Sequence, residues 1–397
     1  MDLRDDARSM GDELTAMRHA LHREPEVGLD LPRTQEKVLE AISGLPLEVS
    51  MGKTLSSVTA VLRGGSPGPA VLLRGDMDAL PVQEELDLPF RSQTDDRMHA
   101  CGHDLHTTML AGAARLLSAH RDNLAGDVVF MFQPGEEGWD GAGHMLREGV
   151  LEAAGSEPVA AFALHVTSSR WPTGTFATRP GPLLAASDAV KVTVRGKGGH
   201  GSAPQRAKDP VPVACEMVTA LQTFVTRSID TFDPAVLTVG EFHAGTRRNI
   251  IPDQARFEAT VRSFKPEVRE ILAQGVPRVC QGIAAAHGVE VEVEYHAEYP
   301  VTVNSADEVA YAAETATELF GDERFKLAEQ PITGSEDFSR VIGKIPGAMV
   351  FLGATIEGRD HEEAPDNHSP LAAFDDAVLA DGSALYATLA ARRLASN

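Results

Sequence analysis

Four short, almost continuous apolar runs constrain this chain more than any other feature: AVLL at 70–73, DVVFMF at 127–132, AAFALHV at 160–166 and AMVFLGA at 348–354. Short runs without polar alternation read as strands covered on both faces, the habit of parallel sheets flanked by helices. Chemistry-bearing residues come after each run. Asp76 and Asp78 come after the first; Glu136 and Glu137 come after the second, in QPGEEG, where Pro134 and Gly135 end the strand. His165 closes the third, and His368 lies beyond the fourth, in DNHSP ahead of the last helix. Open α/β sheets bind ligands beyond the carboxyl ends of their strands, so these scattered residues are expected to converge.

The remaining pattern divides the chain. Residues 12–42 carry helical spacing interrupted at Pro25 and Pro32. Leu105, Met109, Leu110, Ala113, Leu116 and Leu117 predict a helix over 104–120 with one apolar face and Asp104 as its cap. Between about 187 and 299 the order is strand, helix, strand, strand, helix, strand, the β-α-β-β-α-β arrangement of a ferredoxin-like domain. It begins and ends inside the α/β pattern. The expected architecture is therefore a discontinuous catalytic domain, 1–186 and 300–397, with a mixed or mainly parallel sheet, and an insertion at 187–299. A chain of 397 residues suits two domains.

Composition removes several classes of partner. Against 36 Lys and Arg stand 58 Asp and Glu, a net charge of -22, which repels a phosphate backbone and excludes nucleic acid as a partner. The 3 cysteines, Cys101, Cys215 and Cys280, are odd in number and far apart, which fits a reducing compartment rather than a disulfide framework. MDLRDDARSM offers no basic or apolar leader, and no apolar run approaches the roughly 18 residues that span a bilayer. A soluble, cytoplasmic protein with no membrane partner is expected.

MHACGHDLH adds Cys101, His103 and His106 to the same rim. Taken singly, each is an ordinary buried thiol or imidazole; together with the acids they offer the soft, borderline and hard donors that a pair of divalent transition ions needs. A bound cation would keep Cys101 deprotonated and let the thiolate bridge. Thiolate and imidazole favour zinc, while manganese, cobalt and nickel also occupy mixed sites. Adjacent carboxylates at Glu136 and Glu137 resist ionising together, a conflict that a metal removes: one coordinates, the other is left to move protons. GKGGHGSAP at 196–204 sets His200 among glycines, where backbone can approach a ligand closely. Arg247, Arg248 and Asn249, ahead of IIP, and Arg262, in an alternating strand, are candidates to meet a substrate carboxylate.

With these motifs in order, the chain resembles the N-acyl-amino-acid amidohydrolases, the branch of dinuclear metallopeptidases containing aminoacylases, hippurate hydrolases and plant auxin-conjugate hydrolases. RHALHREPEVG, RGDMDALPVQE, MHACGHDLHTTMLAGAA, FQPGEEG, ALHV, GKGGHGSAP, RNIIPD, ATVRSF, GSEDFS and NHSPLAAFDD carry the likeness over nearly the whole length. The resemblance implies two divalent metals, with Cys101 between them, Glu137 and His368 on one, and His103 and His165 on the other. It makes Glu136 the general acid/base, Asp78 the aspartate that orients the chemistry, and His200 the donor to the oxyanion, supplied by a lid domain across a homodimer or larger homo-oligomer. Asn249 and Arg262 match positions near substrate. Asp76 stands where more distant peptidases have a metal-binding histidine, a duty that falls here to His103. The implied reaction is hydrolysis of an N-acyl-L-amino acid by metal-activated water, with a dipeptidase or aminopeptidase, or a non-catalytic metal-dependent binding protein, as alternatives. Two segments depart from the pattern: Pro204 and Gln205 replace the usual Pro-His, and Leu29 and Asp30 replace a segment that contains a glutamate.

Overall fold

The computed structural model describes residues 3–395, and its elements follow the punctuation of the sequence. The first stretch runs through helices α1 (Gly11–Arg23) and α2 (Pro32–Ala41), strands β1 (Leu47–Met51), β2 (Val58–Leu62) and β3 (Ser66–Asp76), helix α3 (His103–Ala119), and strands β4 (Ala125–Gln133), β5 (Ala160–Thr167) and β6 (Phe176–Thr178). Pro32 opens α2, where its missing N–H is no loss. Next come β7 (Ala186–Arg195), β8 (Gly199–His200), α4 (Pro210–Ser228), β9 (Ala235–Ala244), β10 (Ile250–Ile251), β11 (Gln254–Ser263), α5 (Pro266–His287) and β12 (Glu290–Tyr299). The chain closes with α6 (Ala306–Phe320), β13 (Phe325–Leu327), β14 (Gly347–Gly353) and α7 (Val378–Ala395). Among the described residues, no helix is long and apolar enough to cross a membrane.

Two compact units result. The first comprises the chain up to Leu183, Val303–Gln330 and the stretch from Arg340 on. Its eight strands lie in the order β1-β2-β4-β3-β5-β14-β6-β13. The centre, β4-β3-β5-β14, is parallel, while β1, β2 and β6 join antiparallel, so the sheet is mixed with a parallel heart. All four central strands therefore end on one edge, at Gln133, Asp76, Thr167 and Gly353. Burial on both faces explains the continuous apolar runs: every residue of β14 and nearly every one of β5 is buried. The β3–β5 ladder stops at Arg74 and Ala163. There Tyr386 of α7 bridges the parting strands, donating its hydroxyl to Arg74 O at 2.6 Å and accepting from Leu164 N–H at 2.7 Å.

Helix α3 departs from the expectation in two ways. It is buried on nearly every side rather than along one face, because it lies between the sheet and helices α1 and α7. Its first turn is not capped by Asp104 either. Gly102 holds the N-cap with φ 81°, and a β-carbon there would stand 2.3 Å from Val166 Cγ2, so the turn between Cys101 and His103 accepts only glycine. The Asp104 carboxylate turns instead to α1, where Oδ2 accepts from Arg18 Nε at 2.9 Å and meets His22 Nδ1 at 2.8 Å. Arg18 also donates to Asp376 Oδ1 at 2.7 Å and Phe374 O at 3.2 Å, tying α1, α3 and the approach to α7 together. Burial opposes charge here, but Arg18 and His22 together hold the Asp104 carboxyl well below its ordinary range.

The second unit comprises Leu184–Thr302 and Pro331–Ser339. Its sheet runs β9-β11-β7-β12, antiparallel throughout, the strand order of a ferredoxin-like fold. One face alternates inward, with Val190, Val192, Val194, Phe257 and Val261 packed against Val213, Met217 and Leu221 of α4 and Leu272 and Val276 of α5. Pro331–Ser339 lies outside the 187–299 stretch read from sequence and is tied to this unit through Ala185, whose N–H donates to Gly334 O at 2.8 Å.

Removing one partner of a buried charge pair leaves the other uncompensated. Arg18→Ala is expected to lower the unfolding free energy by about 3–5 kcal/mol, measured by denaturant titration. A loss under about 1 kcal/mol would place the anchoring of α1 elsewhere.

Candidate metal centre

At the end of β3, Asp76 is buried and fully engaged. Its Oδ2 accepts from Arg74 at 2.5 Å and its Oδ1 meets His106 Nδ1 at 2.5 Å. The other ring nitrogen of His106 accepts the Val166 N–H at 2.7 Å. That amide can only donate, so His106 Nδ1 carries the proton and the ring is neutral. Burial pushes the His106 imidazole down, while Arg74, His103 and His106 overcome burial and hold the Asp76 carboxyl well below its usual range. Asp76, His103 and His106 are close enough to suggest a metal site, yet two of the three have no donor atom to spare. His106 is a brace between α3 and β5.

Two residues on, Asp78 joins the ends of β3 and β4. Its Oδ1 accepts the Glu136 N–H at 2.9 Å and its Oδ2 the Glu137 N–H at 3.0 Å. Gly135 (φ 73°) and Gly138 (φ 85°) shape the turn around the pair. The same Oδ1 lies 3.5 Å from His103 Nδ1. The adjacent carboxylates that look anomalous in sequence thus hang from one buried aspartate, and both approach His103: ligand atoms of His103, Glu136 and Glu137 lie within 4.8 Å of one another.

Cys101 belongs to two further groups of this kind, Cys101 with His103 and His165, and Cys101 with Glu137 and His368. His165 donates Nδ1–H to Val166 O at 2.8 Å, which leaves its Nε2 lone pair facing Cys101 Sγ at 3.6 Å. Burial, with His106 beside it, pushes His165 well below its ordinary range and keeps it neutral. His368 Nε2 lies 3.3 Å from Cys101 Sγ and 3.0 Å from Glu137 Oε1. His368 has a left-handed backbone, φ 72°, which costs about 1–3 kcal/mol in a residue with a side chain. Its N–H donates to Ala100 O at 2.9 Å.

The neighbouring Asn367 holds this conformation. Its amide donates to Val166 O at 3.0 Å and Cys101 O at 3.3 Å, and its Oδ1 accepts from Ser168 N–H at 2.9 Å. One side chain therefore ties together the loops that bear Cys101, His165 and His368. Sequence reasoning missed it, and its only signal there is adjacency to His368.

The residues present fit divalent cations. His103 is fully buried, yet neither ring nitrogen has a hydrogen-bond partner, and buried Glu137 Oε1 has the His368 ring beside it at 3.0 Å. Buried polar atoms normally have partners, and the exceptions need a reason. Protons take up part of the excess negative charge. His103 is raised well above its usual value as Asp76 and Cys101 overcome burial, and His368 is raised to about 10 by Cys101 and Glu137. Divalent ions bound to thiolate, imidazole and carboxylate displace such protons.

Three further residues singled out from sequence lie in the second unit. His200 and Asn249 are exposed, on β8 and just before β10. Arg262, on β11, is half-buried and donates to Ser187 Oγ at 2.8 Å and its neighbour's Val261 O at 3.0 Å. Burial pushes its guanidinium down despite Glu298 and Asp188 nearby.

A buried thiol shared by two donor groups, with a second carboxylate fixed beside them, defines a metal-dependent amidohydrolase class of centre. The sequence profile of Peptidase family M20/M25/M40 matches residues 72–392. Thermostable carboxypeptidase 1 of Saccharolobus solfataricus is 37% identical over 394 residues, covering 98% of each chain. Hippurate hydrolase of Campylobacter jejuni is 37% identical over 387 residues, 96% of this chain and 97% of its own. A solved Bacillus subtilis structure, a dinuclear metal binding peptidase from the M20 family, is 33% identical, superposes with a TM-score of 0.83, and covers 98% of this chain and 100% of its own. The chain belongs to Peptidase family M20/M25/M40.

Because Asn367 braces three ligand-bearing loops, Asn367→Ala is expected to weaken divalent-ion binding by about 10–100-fold, read by calorimetric titration with Mn2+, without changing the far-ultraviolet spectrum. Unchanged affinity would remove Asn367 from that task.

Proposed function

We propose that the chain hydrolyses the amide bond of N-acyl-L-amino acids, releasing a carboxylate and a free amino acid. The observation that carries this reading is the Asp78 carboxylate, which holds Glu136 and Glu137 side by side from one point. A binding protein needs Glu137 as a ligand but has no use for a second carboxylate fixed next to it. Cys101, Glu137 and His368 would hold one divalent ion, and Cys101, His103 and His165 another. Bound there, such ions would acidify water and polarise the amide carbonyl.

Glu136 accepts the proton of the attacking water and returns it to the departing nitrogen. Asp78 keeps that carboxylate at its station, because rotation of the turn would break both hydrogen bonds from the Glu136 and Glu137 amides at once. His200, which the resemblance assigns to a second copy's centre in a homodimer, donates to the oxygen as it gains charge, and Asn249 and Arg262 bind the substrate carboxylate. The relatives' names support this substrate class: one is named a carboxypeptidase and another a hippurate hydrolase. Zinc suits the thiolate and imidazoles best, with manganese, cobalt and nickel as further occupants. Cys101, Cys215 and Cys280 are all unpaired, which fits reducing surroundings and supports a cytoplasmic setting.

The test is free amine released from N-acetyl and N-benzoyl amino acids and from unblocked dipeptides, with and without a chelator. Acylated substrates are expected to be cleaved and chelation to abolish cleavage. Preference for dipeptides would move the reading to a dipeptidase, and no release from either would overturn it. Glu136→Gln is expected to lower kcat by about 10²–10⁴-fold with metal content unchanged, and activity near wild type would remove Glu136 from proton transfer.

A further inference from the structure

His200 sits on a small framework of its own within the second unit. It pairs with Ile250, and Gly199 with Ile251, in the antiparallel β8–β10 ladder. One residue on, Gly201 donates its N–H to Asn249 O at 2.9 Å. A β-carbon at Gly201 would stand 3.1 Å from the Asn249 backbone, tighter than ordinary van der Waals contact, so glycine favours this close approach of the two segments. The backbone that carries His200 is therefore held in place while its imidazole is exposed.

Two donors then converge on a single atom of that ring. Ser202 Oγ lies 2.8 Å from His200 Nδ1, and the Ser202 backbone N–H donates to the same nitrogen at 3.2 Å. A hydroxyl could donate or accept, but a backbone amide only donates. Nδ1 thus carries the lone pair, and in the neutral ring the hydrogen resides on Nε2.

We propose that Ser202 is a positioning residue for amide hydrolysis, fixing His200 in its Nε2–H form and orientation so that the ring presents a donor to the oxygen that becomes negative. This rests on the reading of His200 as the oxyanion donor. The opposite tautomer would aim a lone pair at that oxygen, and a ring turned over about its Cβ–Cγ bond would aim carbon at it. Either removes the stabilisation at the moment charge develops, because a donor that must first reorient has lost its preorganisation. The hydroxyl is needed beside the amide because the ring is exposed, where water competes for Nδ1 and a single hydrogen bond is worth little.

The experiment uses the full-length, metal-loaded enzyme and three variants, His200→Ala, Ser202→Ala and Ser202→Thr, assayed on an N-acyl amino acid. Loss of an oxyanion donor lowers kcat by about 10²–10³-fold, which is expected of His200→Ala; Ser202→Ala, which leaves the donor present but unfixed, is expected to lose about tenfold in kcat with KM within about twofold. Ser202→Thr, which keeps the hydroxyl, is expected to restore most of it. Binding of a tetrahedral phosphinate analogue should weaken in parallel with kcat/KM in Ser202→Ala, while binding of the amino acid product should not. Nitrogen NMR of labelled histidine should show His200 protonated at Nε2 in the wild type and a mixture in Ser202→Ala. If His200→Ala leaves kcat unchanged, the oxyanion reading falls and Ser202 with it. If His200→Ala is damaging but Ser202→Ala matches wild type, or Ser202→Thr fails to restore what Ser202→Ala lost, the positioning role alone is overturned.

Discussion

The centre depends on one aspartate whose two carboxylate oxygens are both given to backbone amides. Asp78 reaches from the loop after β3 to the loop after β4 and gives one carboxylate oxygen to each amide of the Glu136–Glu137 pair. Two parallel strands fix where their loops begin, but not how a polar turn beyond them is aimed. The aspartate supplies that direction from a buried position, where hydrogen bonds to a carboxylate are stronger than neutral ones. Neighbouring glutamates then occupy different places, Glu137 turned toward Cys101 and His368 and Glu136 set beside it, as the division between ligand and proton carrier proposed above requires.

Charge explains the crowding around it. Cys101, Glu137, Asp76 and Asp78 bring more negative character to one strand edge than burial tolerates, and His103 and His368 respond by holding protons above their ordinary range. Asp76 is neutralised within the fold by Arg74, and its other oxygen takes the His106 Nδ1–H. Cys101 and Glu137 face imidazoles instead, whose protons a divalent ion can displace, and the buried nitrogens of His103 have no hydrogen-bond partner. The asymmetry separates the structural acid from the acids available to divalent ions.

Much of this is legible in the sequence because parallel strands buried on both faces leave continuous apolar runs, and the residues just past each run must lie at the sheet's carboxyl edge. Asp78, the glutamate pair, His165 and His368 are found in that way. His103 and His106 cannot be told apart by spacing, since both are histidines of one short motif; the resemblance alone separates them in the sequence, and in the structure the Val166 amide and the Asp76 carboxylate commit His106 to bracing the sheet. Asp104 reads as a helix cap, because nothing in its local pattern announces Arg18, which lies 86 positions away. Asn367 and Ser202 act through atoms of neighbouring chain segments or ring nitrogens, and residue spacing carries no trace of such hydrogen bonds. The β-α-β-β-α-β element order of the second unit, by contrast, is read from its alternating strands and two helical stretches, and the strand order in the structure is the ferredoxin-like one which that element order implies.

The central claim is that Cys101 serves two ions at once. Its most direct test is the metal content of the chain after loading with Mn2+ and removal of excess, measured by elemental analysis together with the paramagnetic resonance spectrum. Two ions per chain with a spin-coupled signal are expected, with loss of that coupling in Cys101→Ala. A single ion per chain, or a coupled pair that survives in Cys101→Ala, would contradict it.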